Sequence, residues 1–203
     1  MTVDHDHAMH AQHAHHDMGS LNSMAASTTL HCLTGCAIGE IAGLVIGTAA
    51  GLDNLVTIAL SIALAFFFGY TLSTLPLLKA GLALGAALTV VLAADTLSIL
   101  TMEVVDNLVV AVIPGAMDAG LVNTTFWISL MLSLAVAFLA AYPVNRYLLS
   151  RGKGHALTHD YHGDRGPATG RRQLIPSIAT STLVAALMAF MLGGLLVSIA
   201  DAL

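Results

Sequence analysis

Residues 31–51 of the chain are HCLTGCAIGEIAGLVIGTAAG, a stretch whose only ionisable side chains are His31, the two cysteines and Glu40. About 20 predominantly apolar residues let a helix cross the roughly 30 Å hydrocarbon core of a bilayer. The stretch therefore predicts a transmembrane helix over the apolar run 30–52. It decides the fold class, because only helices and closed barrels satisfy all backbone polar groups in lipid.

Further apolar runs follow along the chain. They occupy residues 55–75, about 125–148, and 175 to the C-terminus. The run 77–113 is too long for one upright span and predicts an additional element. We therefore expect an all-α, polytopic transmembrane bundle with five or six spans.

The composition excludes several other classes of protein. Hydrophobic residues make up 57% of the 203 residues and charged residues only 9%, whereas about a quarter of residues in soluble domains are charged. No GxxxxGK[ST] loop, nucleophile elbow or HExxH sequence occurs, so neither ATP hydrolysis nor hydrolytic enzymology is predicted. The bilayer is the expected surrounding, and nucleic acid is not an expected partner.

Basic residues are concentrated before the last span. They are Arg146, Arg151, Lys153, Arg165, Arg171 and Arg172. The positive-inside rule therefore predicts that loop 150–174 is cytoplasmic and that the C-terminus lies outside. Five spans would put the N-terminus in the cytoplasm and six would put it outside, and Lys79 favours five.

Residues 1–29 lack the basic start and apolar centre of a signal peptide, so we expect a disordered tail before the membrane domain 30–203. The tail contains six histidines and several methionines, and short His-rich tracts bind metal. These histidines are His5, His7, His10, His13, His15 and His16. Imidazole with thioether suits copper better than magnesium or calcium. The tail would collect metal if it lies outside, and would act as a buffer or sensor in the cytoplasm.

Glycine recurs at every fourth residue of the first span. The glycines are Gly35, Gly39, Gly43, Gly47 and Gly51. Small residues at this spacing let two helices approach closely in lipid. They predict a packing seam, either within the bundle or in a homo-oligomer.

A second stripe on the same helix carries ionisable groups. Cys32, Cys36 and Glu40 stack at four-residue spacing, with His31 beside them. Cysteines four apart on a helix are poorly aimed for a disulfide, whereas thiolate and imidazole select Cu(I), Zn(II) or related ions. The stripe predicts a soft-metal site, copper first and zinc second. The alternative is that the cysteines pack as small hydrophobes.

Acidic residues interrupt the long run 77–113. Glu103, Asp106 and Asn107 share one helical face, and Met102 and Asp95 extend it backwards. A carboxylate at the bilayer centre costs about 2.5–3.5 kcal/mol, so these groups must face protein, water or an ion.

The segment 101–120 has two interpretations. In the first, its acids form a cation or proton path with Met117 and Asp118 at the mouth. In the second, it is a surface element or re-entrant hairpin ended by Pro114 and Gly115, and its acids lie in solvent.

Three passages together resemble a bacterial family of integral membrane proteins catalogued as a domain of unknown function. They are HCxxGCxxGE at 31–40, MExxDNxxxxxIPGAM at 102–117, and FW followed by AYPVNRYLLSRGKGHA at 141–156. The resemblance covers about residues 30–203 and implies a link with copper-handling domains such as cupredoxins, but no catalytic residues. The residues in its recurring motifs are His31, Cys32, Cys36, Glu40, Glu103, Asp106, Asn107, Pro143, Asn145 and His155. The tail is also similar in composition to the His- and Met-rich outer tails of eukaryotic high-affinity copper transporters.

The leading hypothesis is a bacterial plasma-membrane protein that binds or moves a soft transition metal without ATP. Copper is the first candidate for this metal. The acidic cluster would then be an inner site or a proton coupler. A second hypothesis is a membrane redox or metal-insertion factor for a partner enzyme, since a cysteine pair suits thiol exchange. A third is a structural membrane subunit whose glycine face mediates assembly.

Overall fold

A computed structural model describes residues 4–152, 170–176 and 178–203, and for residues 4–19 and 171 only the backbone. The α-helices are α1 (Asp4–Ala50), α2 (Asn54–Lys79), α3 (Leu84–Val112), α4 (Thr124–Ser150) and α5 (Thr180–Asp201). A short 3-10 helix, Gly170–Leu174, precedes α5. Five helices, including residues 20–50 of α1, are long and apolar enough to cross a membrane. The expected all-α polytopic bundle is confirmed, with five candidate spans in the described residues.

The first helix begins well before the predicted start of its span. Residues 20–29, which were expected to belong to a disordered tail, are helical, and Ala25, Thr28 and Thr29 are buried in the bundle. The side chains of the six tail histidines lie outside the described part of the chain, as do residues 153–169 of the basic loop.

The long apolar run 77–113 is divided by a turn and holds no separate membrane element. Helix α2 continues through Pro76 to Lys79, and α3 begins at Leu84. Gly81, with φ of +102°, makes the turn possible. The 29 residues of α3 extend over about 43 Å. The interpretation of 101–120 as a surface element or hairpin is therefore wrong, because most of the acidic segment is the second half of a spanning helix.

Side-chain caps mark the starts of α2 and α4. The Asp53 carboxylate accepts hydrogen bonds from the backbone N–H groups of Leu55 (3.0 Å) and Val56 (3.2 Å) at the start of α2. Asn123 does the same for Thr125 at the start of α4, at 2.9 Å. Gly51 follows the end of α1 with φ of +65°, a conformation typical of a helix C-terminus.

The glycines of α1 form a seam with α2. A Cβ added to Gly35 would lie 2.6 Å from the Cα atom of Gly69, and one on Gly39 would collide with the backbone of Ala65. Gly43 and Gly47 meet α2 equally closely, whereas Gly51 faces open space. The seam is thus occupied within the chain, and Gly51 belongs to the turn that follows.

The bundle is arranged around α1, which contacts each of the other four helices. Helix α5 packs mainly on α1 and α4. Large apolar side chains such as Leu108, Leu139 and Leu196 are exposed on the outside, while many polar side chains are buried within. Apolar side chains on the outside and polar side chains inside suit a protein that is surrounded by lipid.

Apart from the interior acids of α1 and α3, the described charged side chains lie at the two ends of the bundle. At one end, Arg146 Nε donates a hydrogen bond of 2.7 Å to Asn22 Oδ1. At the other end, Asn54 Nδ2 donates to Asp118 Oδ1 at 3.2 Å. We call the first the basic end, since it holds Lys79, Arg146, Arg151 and Arg172, and the second the acidic end, since it holds Asp53, Asp118 and Asp201.

Candidate functional site: a polar column between the first and third helices

Helices α1 and α3 both run from the basic end to the acidic end, and they contact each other. Their ionisable and sulfur-containing side chains meet in the interior and form what we call the polar column. From α1 the column takes Cys32, Cys36 and Glu40, and from α3 it takes Asp95, Ser98, Met102, Glu103, Asp106 and Asn107. The two stripes predicted from the sequence are therefore one continuous structure.

The part of the column nearest the basic end is organised by Asn145 of α4. Its Nδ2 group donates hydrogen bonds of 2.9 Å to Thr29 Oγ1 and to Ser98 Oγ. All three residues are buried, as is Asp95. The Cys32 thiol lies within hydrogen-bonding range of Ser98. Sequence reasoning did not assign a role to Thr29 or Ser98, because isolated hydroxyl residues are common in apolar spans.

The middle of the column is a sulfur cluster, which we define as Cys32, Cys36 and Met102. The three side chains pack in one buried core cluster and are each at most 2% exposed. Both cysteines are free thiols, as expected for residues four apart on a helix. Small residues of α2 and α4, such as Ala65 and Ala137, surround the cluster. The result is a dry site with three soft donor atoms.

His31 does not join the sulfur cluster. Its Nδ1 atom lies 3.0 Å from Thr180 Oγ1 at the start of α5, so the ring contacts a different helix from the one that Cys32 and Cys36 meet. Across the described residues, no three His, Cys, Asp or Glu side chains converge closely enough to hold a metal ion. The predicted grouping of His31 with the thiols is therefore corrected, and the third donor near them is the thioether of Met102.

Towards the acidic end, the polar column contains carboxyl groups in place of sulfur-containing side chains. The Cys36 thiol lies within hydrogen-bonding range of Glu103, so the sulfur cluster and the acids are in contact. The Glu40 carboxyl lies within the same range of Asp106. Asp106 is also within reach of Ser133 of α4, although the Ser133 hydroxyl donates to the Leu130 carbonyl at 3.0 Å. The acids thus face other helices and not lipid.

A cavity of about 80 Å³ connects these acids with the acidic end. Its polar lining includes Glu40, Glu103, Asp106, Asn107 and Asn54, together with hydroxyl groups of α2 and α4. A water needs about 10–15 Å³ of such volume, so the cavity has room for several waters.

The mouth of the cavity lies where the α3–α4 connection meets the start of α2. Met117 lines the cavity, and Asp118 accepts the hydrogen bond from Asn54. Both residues thus lie at the acidic end, Met117 in the cavity lining and Asp118 beside it, and their role as the mouth of an ion path stays a prediction. Asn107 lies just inside, and its Nδ2 group donates to the Glu103 carbonyl at 2.8 Å.

Comparison with known proteins gives one match. A family model described as a domain of unknown function (DUF4396) matches residues 21–154. No curated protein and no solved structure matches the chain. The matched segment contains helices α1 to α4 from residue 21 onwards, and hence every residue of the polar column.

Proposed function

The chain belongs to the family described as a domain of unknown function (DUF4396), and from the contents of its polar column we propose that it binds and moves a soft transition metal. Cu(I) is the first candidate and zinc the second. The sulfur cluster is the proposed binding site. No step requires ATP.

The observation that carries this proposal is the convergence of two thiols and a thioether in one buried cluster. Cys and Met are the ligands that select Cu(I), while carboxylates and carbonyls suit magnesium, calcium or manganese. Single buried cysteines commonly act as small hydrophobes. Here the only two cysteines of the chain share their cluster with Met102, and Cys36 also contacts Glu103. This donor set distinguishes the site from ordinary apolar packing.

The acidic cavity supplies a route to the cluster. It begins near Met117 and Asp118 and reaches Glu103, which contacts Cys36. Carboxylates around a cavity raise the local concentration of cations. In the proposed path, a metal ion enters at the acidic end and passes Glu103 before it meets sulfur.

The distribution of basic residues supports an orientation for this path. Under the positive-inside rule the basic end faces the cytoplasm, so the acidic end and its cavity face outwards from the plasma membrane of a bacterium. With five spans, the His-rich tail begins at the basic end. We therefore propose that the tail is a cytoplasmic buffer or receiver of metal, and not the outer collector considered first.

Cu(I) binding by the purified full-length protein tests the proposal. The double variant Cys32→Ser, Cys36→Ser should lose one Cu(I) equivalent relative to wild type in anaerobic competition with a colorimetric chelator. Met102→Leu should weaken Cu(I) binding at the same site by at least about 10–100-fold, which is the loss caused by replacing residues that hydrogen-bond to metal ligands.

Met131→Leu is the matched control, because Met131 packs in a different cluster, against the aromatic side of α4. It should bind Cu(I) like wild type, and the tail contributes equally to every variant. Equal copper content in wild type and the double cysteine variant would refute the sulfur site.

A further inference from the structure

Glu40 of α1 and Asp106 of α3 form a carboxyl pair inside the bundle. Their carboxyl groups lie within hydrogen-bonding range of each other. Asp106 is 4% exposed, and Glu40 is partly buried. Two ionised carboxylates at this separation repel each other, whereas one protonated group can donate to the other. The pair therefore has the geometry to hold a single proton.

A second observation concerns the oxygen atoms of Asp106. Its Oδ1 atom is buried and has no hydrogen-bond partner among the described residues, although Asp106 lines the cavity of about 80 Å³. A buried acceptor without a partner is costly. An atom of this kind beside a cavity large enough for water indicates that a proton donor or a water molecule completes the site.

Among the described residues, no basic side chain lies near enough to neutralise the pair. The titratable groups nearest to it are Glu103 on α3 and Cys36 on α1. The polar groups that α2 and α4 contribute to the cavity lining are hydroxyl groups and the Asn54 amide, and Asp118 stands at the mouth. The described residues that line the cavity include no Lys, Arg or His. Neutralisation must come from a bound proton or a mobile cation.

Between these two ligands, the geometry favours the proton. A metal ion would need several converging ligands, and the described residues bring no three acidic, His or Cys side chains together for one. A proton needs only two facing carboxyl groups. We propose that Glu40 and Asp106 bind one proton between them and exchange it with the acidic end through the cavity. This proton site does not depend on metal binding at the sulfur cluster.

Infrared pH-difference spectroscopy of the metal-free, full-length protein in lipid vesicles tests the site. Wild type should show the C=O stretching band of a protonated carboxyl group, which disappears as the pH is raised. The double variant Glu40→Gln, Asp106→Asn should lose the part of this band that the pair contributes. The exposed control Asp53→Asn should keep it. Gel filtration and thermal unfolding would establish that each variant is folded.

Two results would overturn the proposal. One is a band of undiminished intensity in the folded double variant, because the proton would then sit elsewhere. The other is loss of the wild-type band on addition of sodium or calcium at constant pH, because the pair would then bind a metal cation. Both results can be distinguished from failure of the copper-binding experiment, because the infrared measurement uses the metal-free protein.

The route is tested by closing the mouth. Met117→Cys in the Cys32→Ser, Cys36→Ser background can be labelled with a bulky maleimide. Labelling should slow the exchange of the carboxyl proton with deuterium from D₂O. An unchanged exchange rate after complete labelling would show that the proton does not pass through this cavity.

Discussion

At the scale of single residues, Asn145 joins three helices through one amide group. Both of its N–H bonds are used, one towards Thr29 of α1 and one towards Ser98 of α3. Thr29 in turn donates to the Ala25 carbonyl at 2.7 Å. In lipid, such bonds fix the relative position of helices that apolar contacts alone leave free to slide. Asn145 therefore sets the register in which the polar column is assembled.

Replacement of this amide should be measurable as lost stability. We expect Asn145→Leu to lower the free energy of unfolding by about 1–3 kcal/mol, since two interhelical hydrogen bonds are lost and buried hydroxyl groups lose a donor. Thr101→Val is the control, because the exposed Thr101 hydroxyl bonds only to the Leu97 carbonyl of its own helix. Its effect should stay within about 0.5 kcal/mol. Reversible unfolding in mixed micelles measures both, and equal losses would contradict the role of Asn145.

The sequence identified the thiols but misjudged their neighbour. Each residue of a helix is rotated by about 100° from the one before it. His31 and Cys32 are adjacent in sequence, yet the first meets Thr180 and the second approaches Ser98. Which neighbour each side chain meets depends on the placement of α3 and α5. Helical spacing does not contain that information.

At the scale of secondary-structure elements, the contact of α1 with α2 depends on the absence of side chains. Gly39→Val should destabilise the protein by an amount near the top of the roughly 1–3 kcal/mol seen for overpacked cores, since the added atoms would meet the α2 backbone. Gly193→Val is the matched control, because a Cβ there meets nothing within 4 Å. Thermal unfolding in detergent compares them, and equal melting temperatures would refute the seam.

Hydropathy predicted the spans but not the boundary between α2 and α3. The turn after Lys79 consists of Ala80, Gly81, Leu82 and Ala83, so no polar loop marks it. Gly81, with its positive φ, is the one local signal of a chain reversal. By contrast, the glycine spacing in α1 correctly indicated close helix packing, because small residues every fourth position have few other uses in lipid.

At the scale of the whole molecule, an odd number of spans places the two termini on opposite sides of the membrane. We expect a reporter fused to the N-terminus to be cytoplasmic and one fused to the C-terminus to be external. A fluorescent protein that folds only in the cytoplasm and a phosphatase active only outside it would report each side. A reporter in loop 150–174 is the control for the cytoplasmic side. An external N-terminus would contradict the five-span topology.

The union of two predicted stripes into one column is also a property of the whole molecule. Four-residue spacing showed which groups share a face of α1, and the acids of α3 required a polar partner. The two stripes meet because α1 and α3 run parallel and α4 packs against both of them. The sequence alone does not predict this arrangement. The cavity likewise needs residues from several helices, so the sequence could suggest its mouth but not its shape.

The burial of three acids on α3 has a consequence for biosynthesis. On the scale of translocon-mediated insertion, an acidic residue at the helix centre opposes entry by about 2.5–3.5 kcal/mol, so the acids of α3 oppose its entry into lipid by itself. Helix α1 precedes it in the chain and presents Cys36 and Glu40, which Glu103 and Asp106 contact. We therefore expect α3 to enter the membrane stably only when α1 is already there to face its acids.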